Sequence, residues 1–324
     1  MLKLHFLNVG HGDCSIVEFS DSNRTMVVDI NISSDIEEKS LSELIEEVNI
    51  IASPEMQSVY RSLHVDFSQM LSKAGYNLNL QNPVEYLKSL GTKEIFRFIS
   101  THPHIDHLSG IRRLMKELHV WNFWVLKNSH EPDFNKLSDI QKADWLLYKT
   151  IKDSEDRKFL LTNIIRATSG MSRSYWNEDN ITILSPNPEL IALAEERGNP
   201  NIMSYVLLIE YNSKKFILGG DAEQETWKYI VENHADKIKD VTILKASHHG
   251  RDNGYYQPAL KLMKPKYTIV SVGKKPNTDA TNKYQIYSDN VWSTRWKGNI
   301  LFEIDSNGSL RFSFHQNKKM KEFL

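Results

Sequence analysis

The stretch Thr101-His102-Pro103-His104-Ile105-Asp106-His107 places three imidazoles and one carboxylate within six residues, directly after the strand-like run Glu94–Ser100. Burying these groups without compensation costs several kcal/mol each, so they are not expected to be ordinary core residues. Imidazole nitrogens and carboxylate oxygens are ligands that Zn²⁺, Mn²⁺ and Fe accept. In an extended loop His102 and His104 project to one side and can share an ion. Asp106 and His107, past the turn, can face a second ion.

Two later segments also end strand-like runs with polar groups. Lys245-Ala246-Ser247-His248-His249-Gly250 follows one run, and Gly219-Gly220-Asp221 closes another. One of the paired histidines can complete a metal's coordination, while the other donates a proton or positions a substrate. Asp221 is well placed to bridge two cations. Each segment alone is equally compatible with an exposed turn, so the prediction of a metal site depends on all three together.

The rest of the chain predicts a layered α/β protein of 324 residues. Strand-like runs alternate with turn residues at both ends, and the hairpin signal Asn307-Gly308 lies between the last two runs. Helical periodicity marks residues 33–91 and 132–171, which we interpret as two insertions into a single domain spanning residues 1–324. We expect the insertions to flank the metal cleft and to carry selectivity for substrate or partner.

Composition excludes several classes of protein. With 40% hydrophobic and 25% charged residues the chain is not disordered or fibrous, and its net charge of −1 gives no global attraction to polyanions or anionic lipid. One cysteine, Cys14, cannot form an intrachain disulfide. Residues 1–6 are expected to form a strand rather than a signal peptide, and no apolar run is long enough to span a membrane. A cytoplasmic protein without membrane association is therefore predicted.

In the motifs at residues 102–107, 219–221 and 245–250, the chain resembles the metallo-β-lactamase-fold hydrolases. It is most similar to the branch that contains the nuclease-like domain of the bacterial competence DNA-uptake protein. The family pattern His-x-His-x-Asp-His is met by residues 102–107, and Val-Gly-x-Gly-Asp by residues 9–13, where the branch usually has Gln at the position of His11. The strand-terminal aspartate of the family falls on Asp29. The resemblance implies a four-layer αββα sandwich.

The resemblance also implies a ligand set for two divalent ions, with Zn or Mn expected. His102 and His104 would bind the first ion, Asp106, His107 and His248 the second, and Asp221 would bridge them. Many relatives supply a further histidine to the first ion from a loop that corresponds here to residues 201–204, and this loop contains none. The first ion would therefore keep a position for water or a substrate oxygen.

Such a site activates water for attack on an ester. Asp106 is predicted to steer that water, and His249, Ser204 or Lys245 to protonate a leaving group or hold a phosphate oxygen. The branch favours a phosphodiesterase or nuclease that acts on nucleic acid or a nucleotide. Two alternatives remain open: hydrolysis of a lactone, thioester or β-lactam, and a non-catalytic regulatory or binding module in which the metals are structural.

Overall fold

The computed structural model describes residues 1–33, 79–271 and 280–315, which form fifteen strands and nine α-helices. In chain order the strands are β1 (Leu2–Phe6), β2 (Ser15–Phe19), β3 (Arg24–Val28), β4 (Glu94–Ile99), β5 (His119–Trp124), β6 (Lys158–Phe159), β7 (Thr162–Ile165), β8 (Ile181–Ser185), β9 (Val206–Tyr211), β10 (Lys214–Leu218), β11 (Ile243–Lys245), β12 (Tyr267–Val270), β13 (Asn290–Ser293), β14 (Asn299–Ile304) and β15 (Leu310–His315). The helices are α1 (Pro83–Ser89), α2 (Ile111–Glu117), α3 (Asp139–Asp153), α4 (Ser174–Glu178), α5 (Pro188–Arg197), α6 (Gln224–His234), α7 (Gln257–Met263), α8 (Thr281–Gln285) and α9 (Thr294–Lys297).

The strands form two mixed sheets. The first has nine strands in the order β15-β14-β1-β2-β3-β4-β5-β7-β6, and the second has six in the order β13-β12-β11-β10-β9-β8. Strands β3, β4, β5 and β7 run parallel in the first sheet, as do β10, β11, β12 and β13 in the second. Parallel strands end at the same edge of a sheet, so each sheet gathers several carboxyl-terminal strand ends at one edge.

Alternating side chains divide the core into three apolar layers. On β10, Phe216 and Leu218 face a layer between the sheets, where they join residues of the first sheet such as Ile99. Ile217, between them, faces the opposite way into a layer shared with α6, α7 and α8. A third layer joins the outer face of the first sheet to α1, α2 and α3. This helix–sheet–sheet–helix order is the predicted four-layer αββα architecture, which is therefore confirmed.

Local signals explain where the helices near the site begin. Asn82 caps α1 by accepting hydrogen bonds from Val84 N and Glu85 N at 3.0 and 3.3 Å. Ser138 and Gln141 form a reciprocal capping box at the start of α3. Helix α2 is capped from a distance, because Asp144 of α3 accepts from Gly110 N and Arg112 N at 2.8 and 3.0 Å.

The second predicted insertion, residues 132–171, is helical only in part. It contains α3, whose buried Trp145, Tyr148 and Ile151 cover the first sheet, but it also contributes β6 and β7 to that sheet's edge. These strands are two and four residues long, too short to produce a pattern that separates them from a loop. Of the first predicted insertion, residues 34–78 lie outside the described ranges. None of the described helices is long and apolar enough to cross a membrane.

Candidate metal centre

The predicted histidines and aspartates converge where the two sheets bring their parallel strand ends together. From the first sheet, Asp29 follows β3 and residues 102–107 follow β4. From the second sheet, Asp221 follows β10 and residues 248–249 follow β11. Three overlapping groups of these side chains have potential ligand atoms within 4.8 Å of one another: His102, His104 and Asp221; Asp13, His107, Asp221 and His249; and His11, Asp106 and His249.

The first group is formed by the alternating histidines of the opening motif. His102 Nε2 lies 3.0 Å from His104 Nδ1 and 3.6 Å from Asp221 Oδ2. This is the same-side placement expected for His102 and His104 in an extended loop. Asp221 reaches the group from the other sheet, and its side chain is 2% exposed.

The second and third groups share His249, and the second overlaps the first at Asp221. His107 Nε2 is 3.4 Å from Asp221 Oδ1 and 3.7 Å from Asp106 Oδ2. His249 Nε2 is 3.2 Å from Asp106 Oδ2 and 3.7 Å from Asp221 Oδ2. Asp221 therefore belongs to the first and second groups, as its predicted bridging role requires.

Asp29 fixes the rings of two of these histidines. Its Oδ2 is 2.8 Å from His107 Nδ1, so the Nε2 atom of that ring is directed to the centre. The carboxylate also accepts from Thr101 N at 2.8 Å and from Thr101 Oγ1 at 2.7 Å, and Thr101 Oγ1 lies 3.0 Å from His102 Nδ1. Buried carboxylates that hold a ring nitrogen in this way commonly orient metal-binding histidines.

The two adjacent histidines after β11 occupy different environments. His249 Nδ1 lies 2.9 Å from the backbone oxygen of Ser271, which leaves Nε2 facing the aspartates. His248 Nε2 lies 3.7 Å from Asp221 Oδ2 and 3.2 Å from Arg251 Nη1, and its Nδ1 is 3.4 Å from Glu223 Oε1. The structure thus brings both histidines to Asp221 and brings His249, the predicted proton donor, to Asp106 as well.

The loop that carries these histidines has a strained backbone. His248 and His249 have φ values of 49° and 53°, in the left-handed region that costs a non-glycine residue about 1–2 kcal/mol. Asp29 has a φ of 58°. Strain of this kind persists where the surrounding structure determines the conformation, and it concentrates at functional sites.

Close backbone approach explains the glycines in two of the motifs. A Cβ atom on Gly12 would lie 2.5 Å from the backbone oxygen of Asp106, and one on Gly219 would lie 2.4 Å from Ser247 Oγ. The Gly10–Asp13 turn therefore packs directly against the His-Asp motif. This contact brings Asp13, a residue of the opening motif, into the site.

Asp13 and Lys245 form a buried pair behind His249. Lys245 Nζ donates to Asp13 Oδ2 at 2.5 Å and to the backbone oxygen of Ala246 at 3.1 Å. Burial alone would raise the pKa of Asp13, but Lys245 and His249 lower it to about 2. Lys245 is thus held by a carboxylate. Ser204, the other predicted polar helper, is fully buried, and within the described ranges no contact joins its hydroxyl to the cluster.

The histidines and aspartates of the cluster shift one another's pKa values. Burial works against charge on every member, yet neighbouring carboxylates raise the pKa of His107 well above its usual value and that of His249 to about 10. The same histidines hold the pKa of Asp106 and Asp221 well below the usual range against the effect of burial. The carboxylates are therefore ionised at neutral pH, and a positive charge at their centre is stabilising.

Apart from the motif residues Asp13 and Asp29, four residues around the site were not predicted from the sequence as site residues. His11 and Arg251 lie beside His249 and His248, and Glu223 lies behind His248. His130, for which the sequence indicates a surface or packing role, has its ring centroid 5.2 Å from that of His104 and 5.7 Å from that of Trp145 of α3. For His11, the sequence offered one signal, because the family branch usually has glutamine at this position. Arg251, Glu223 and His130 stand in no motif.

The chain shows loose likeness to several solved structures. No protein-family model matches it, and no curated protein sequence matches it. Igni18, a metallo hydrolase from the hyperthermophilic archaeon Ignicoccus hospitalis, is 13% identical over 94% of this chain and 100% of its own, with a TM-score of 0.46. CmlA, a diiron β-hydroxylase from Streptomyces venezuelae, is 11% identical over 90% of this chain and 53% of its own (TM-score 0.45). Yeast PDE1 is 12% identical over 90% and 98% of the two chains (TM-score 0.41).

Proposed function

We propose that this chain is a metal-dependent hydrolase that cleaves phosphodiesters of nucleic acid or nucleotides. The observation that supports it most strongly is the convergence of two groups of histidines and aspartates, from both sheets, on the single carboxylate of Asp221. A carboxylate shared by two nitrogen- and oxygen-rich groups is the arrangement that dinuclear hydrolases use. The resemblance of the motifs to the competence-protein branch favours a phosphodiester as the bond cleaved.

The side chains fit a pair of divalent cations. His107 Nε2 and Asp221 Oδ1 are buried and have no hydrogen-bond partner in the described part of the chain. Buried polar atoms are rarely left unsatisfied, and a cation between them would satisfy both. The donor set of imidazole and carboxylate suits Zn²⁺ or Mn²⁺. His102, His104 and Asp221 would hold one ion, and Asp106, His107, Asp221 and His249 the other.

We assign His249 rather than His248 to the second ion. The contact between His249 Nδ1 and Ser271 O fixes the ring so that Nε2 faces Asp106 and Asp221. A metal-binding histidine usually makes such a contact with its other nitrogen. His248 Nε2, in contrast, lies against the Arg251 guanidinium.

When bound, the cations supply a water of lowered pKa and stabilise negative charge on the attacked group. The protein residues position the reactants. Asp106 orients the attacking water, and His248, whose Nε2 atom accepts from Arg251 in this structure, would deliver a proton to the leaving oxygen once it is protonated there. Glu223 holds His248 for this task, because its carboxylate is itself fixed by the side-chain amides of Asn199, Asn201 and Asn253 at 2.8, 3.1 and 2.6 Å.

An activity panel tests the proposal. We expect turnover of bis(4-nitrophenyl) phosphate and of short DNA or RNA strands with Zn²⁺ or Mn²⁺, and loss of turnover with a chelator. Absence of phosphodiester turnover with Zn²⁺, Mn²⁺ and Mg²⁺ would contradict it. Turnover of only a lactone, a thioester or nitrocefin would replace it with the alternative hydrolase.

Substitution of each adjacent histidine by asparagine tests the assignment of roles, since asparagine tolerates the left-handed backbone. His248→Asn should keep its metal and lose turnover by about 100-fold or more. His249→Asn should lose bound metal. His119→Asn, at the start of β5, is the control and should match the wild type. Equal metal contents in the first two variants would contradict the assignment.

A further inference from the structure

Arg251 links two loops at the edge of the proposed metal site. Its Nη1 atom lies 3.2 Å from His248 Nε2, and its Nη2 atom lies 3.1 Å from His11 Nε2. His11 belongs to the turn after β1, so the guanidinium joins segments that are 240 residues apart. Arg251 is half-buried.

In the part of the chain that the structure describes, the side-chain contacts of the Arg251 guanidinium are with two imidazoles. Across residues 1–33, 79–271 and 280–315, no Asp or Glu oxygen lies within 4.0 Å of its guanidinium. By contrast, Arg97 is paired with Asp179 at 2.6 Å, and Lys283 with Asp252 at 2.8 Å. A half-buried arginine whose described side-chain contacts are two imidazoles keeps N–H groups that can donate to an anion.

The guanidinium is also well placed to meet a substrate. A ring nitrogen of His11 lies within 4.8 Å of ligand atoms of Asp106 and His249, and the rings of His11 and His249 are 4.8 Å apart. On its other side the guanidinium contacts His248, which lies 3.7 Å from Asp221. The arginine therefore lies beside the group of His11, Asp106 and His249, next to the proposed proton donor.

We propose that Arg251 binds a phosphoryl oxygen of the substrate and so makes this site selective for anionic esters. This proposal rests on the proposed phosphodiesterase function. Guanidinium has five N–H donors in one plane, and two nitrogens are oriented by the flanking imidazoles. The remaining donors form a fixed fork that matches the geometry of phosphate oxygens, which a lysine ammonium does not.

Binding of inorganic phosphate, measured by isothermal titration calorimetry, tests Arg251 without any turnover. Arg251→Met should weaken binding by about 10- to 100-fold, and Arg251→Lys should restore it only in part. Arg197→Met is the matched control, because Arg197 is an exposed arginine paired with Glu225 on the surface. It should bind phosphate like the wild type. Wild-type affinity in Arg251→Met would overturn the proposal, as would loss of bound metal in that variant.

Kinetics separate this inference from the proposed function. If the enzyme cleaves bis(4-nitrophenyl) phosphate, Arg251→Met should raise KM by about 10-fold for that anionic diester and leave KM for neutral 4-nitrophenyl acetate unchanged. An equal effect on both substrates would give Arg251 a structural role and overturn the inference. If the wild type cleaves no phosphodiester, the proposed function fails, while the phosphate titration still decides whether Arg251 binds anions.

Discussion

At the scale of single residues, the site depends on side chains that do not face the centre. Asp29 holds His107 directly and His102 through Thr101. The sequence could identify Asp29 only because it ends a strand and because of the resemblance. The histidines of the 102–107 motif were predictable since they are close in sequence. His11 and Arg251 were not, since their contact joins residues 240 apart and depends on the folded loops.

Asp29→Asn isolates the charge of this carboxylate, because asparagine tolerates the left-handed backbone at residue 29. We expect metal affinity to fall about 10- to 100-fold, as is typical when the residue that orients a metal-binding histidine is changed. Competition with a chromogenic chelator measures the affinity. Asp236→Asn, on the surface, is the control. Unchanged metal affinity in Asp29→Asn would show that the carboxylate does not orient the site.

At the scale of elements, the helix after the His-Asp motif is stabilised by another helix. Helix α2 begins after Gly110 and lacks a side-chain cap of its own, and Asp144 of α3 supplies the missing acceptor. Strands with alternating or fully apolar residues, such as β2 and β10, were predictable to within a residue or two. Strand β13 was not, since all four of its residues are half-buried and Asn290 and Ser293 are polar. A helix cap that comes from a residue distant in sequence, as Asp144 does for α2, leaves no pattern in the sequence around the helix.

Asp144→Ala should lower the free energy of unfolding by about 1–3 kcal/mol, because two backbone N–H groups at the start of α2 lose their acceptor. Asp139→Ala, an exposed substitution on the same helix α3, should change it by less than about 0.5 kcal/mol. Urea unfolding followed by circular dichroism measures both. Equal stability of the two variants would mean that the cap contributes nothing.

At the scale of the whole molecule, the proposed metal centre joins the two sheets. One sheet contributes residues 102–107, and the other contributes Asp221 and His249. A layered α/β protein with polar residues at its strand ends was predictable because each motif follows a strand, whereas the four layers were implied by the resemblance. The meeting of residues so far apart was implied by the resemblance, and the order of the strands was not predicted. Periodicity cannot specify which strands pair.

Because bound metal stabilises only the folded state, a chelator should lower the thermal midpoint. A ligand at about 1,000 times its Kd stabilises by roughly 4 kcal/mol, which corresponds to a shift on the order of 5–10 °C for a chain of this size. Differential scanning calorimetry with and without chelator measures it. Asp221→Asn, deprived of the shared carboxylate, should show a much smaller chelator effect. Identical shifts in both proteins would argue against a centre at Asp221.

Elemental analysis of the protein purified without added metal tests the central claim most directly. We predict up to two equivalents of a divalent transition metal per wild-type chain and a loss of metal from both groups in Asp221→Asn, since this carboxylate serves each of them. Wild-type protein that binds no divalent metal, either as purified or after incubation with Zn²⁺ or Mn²⁺, would contradict the account.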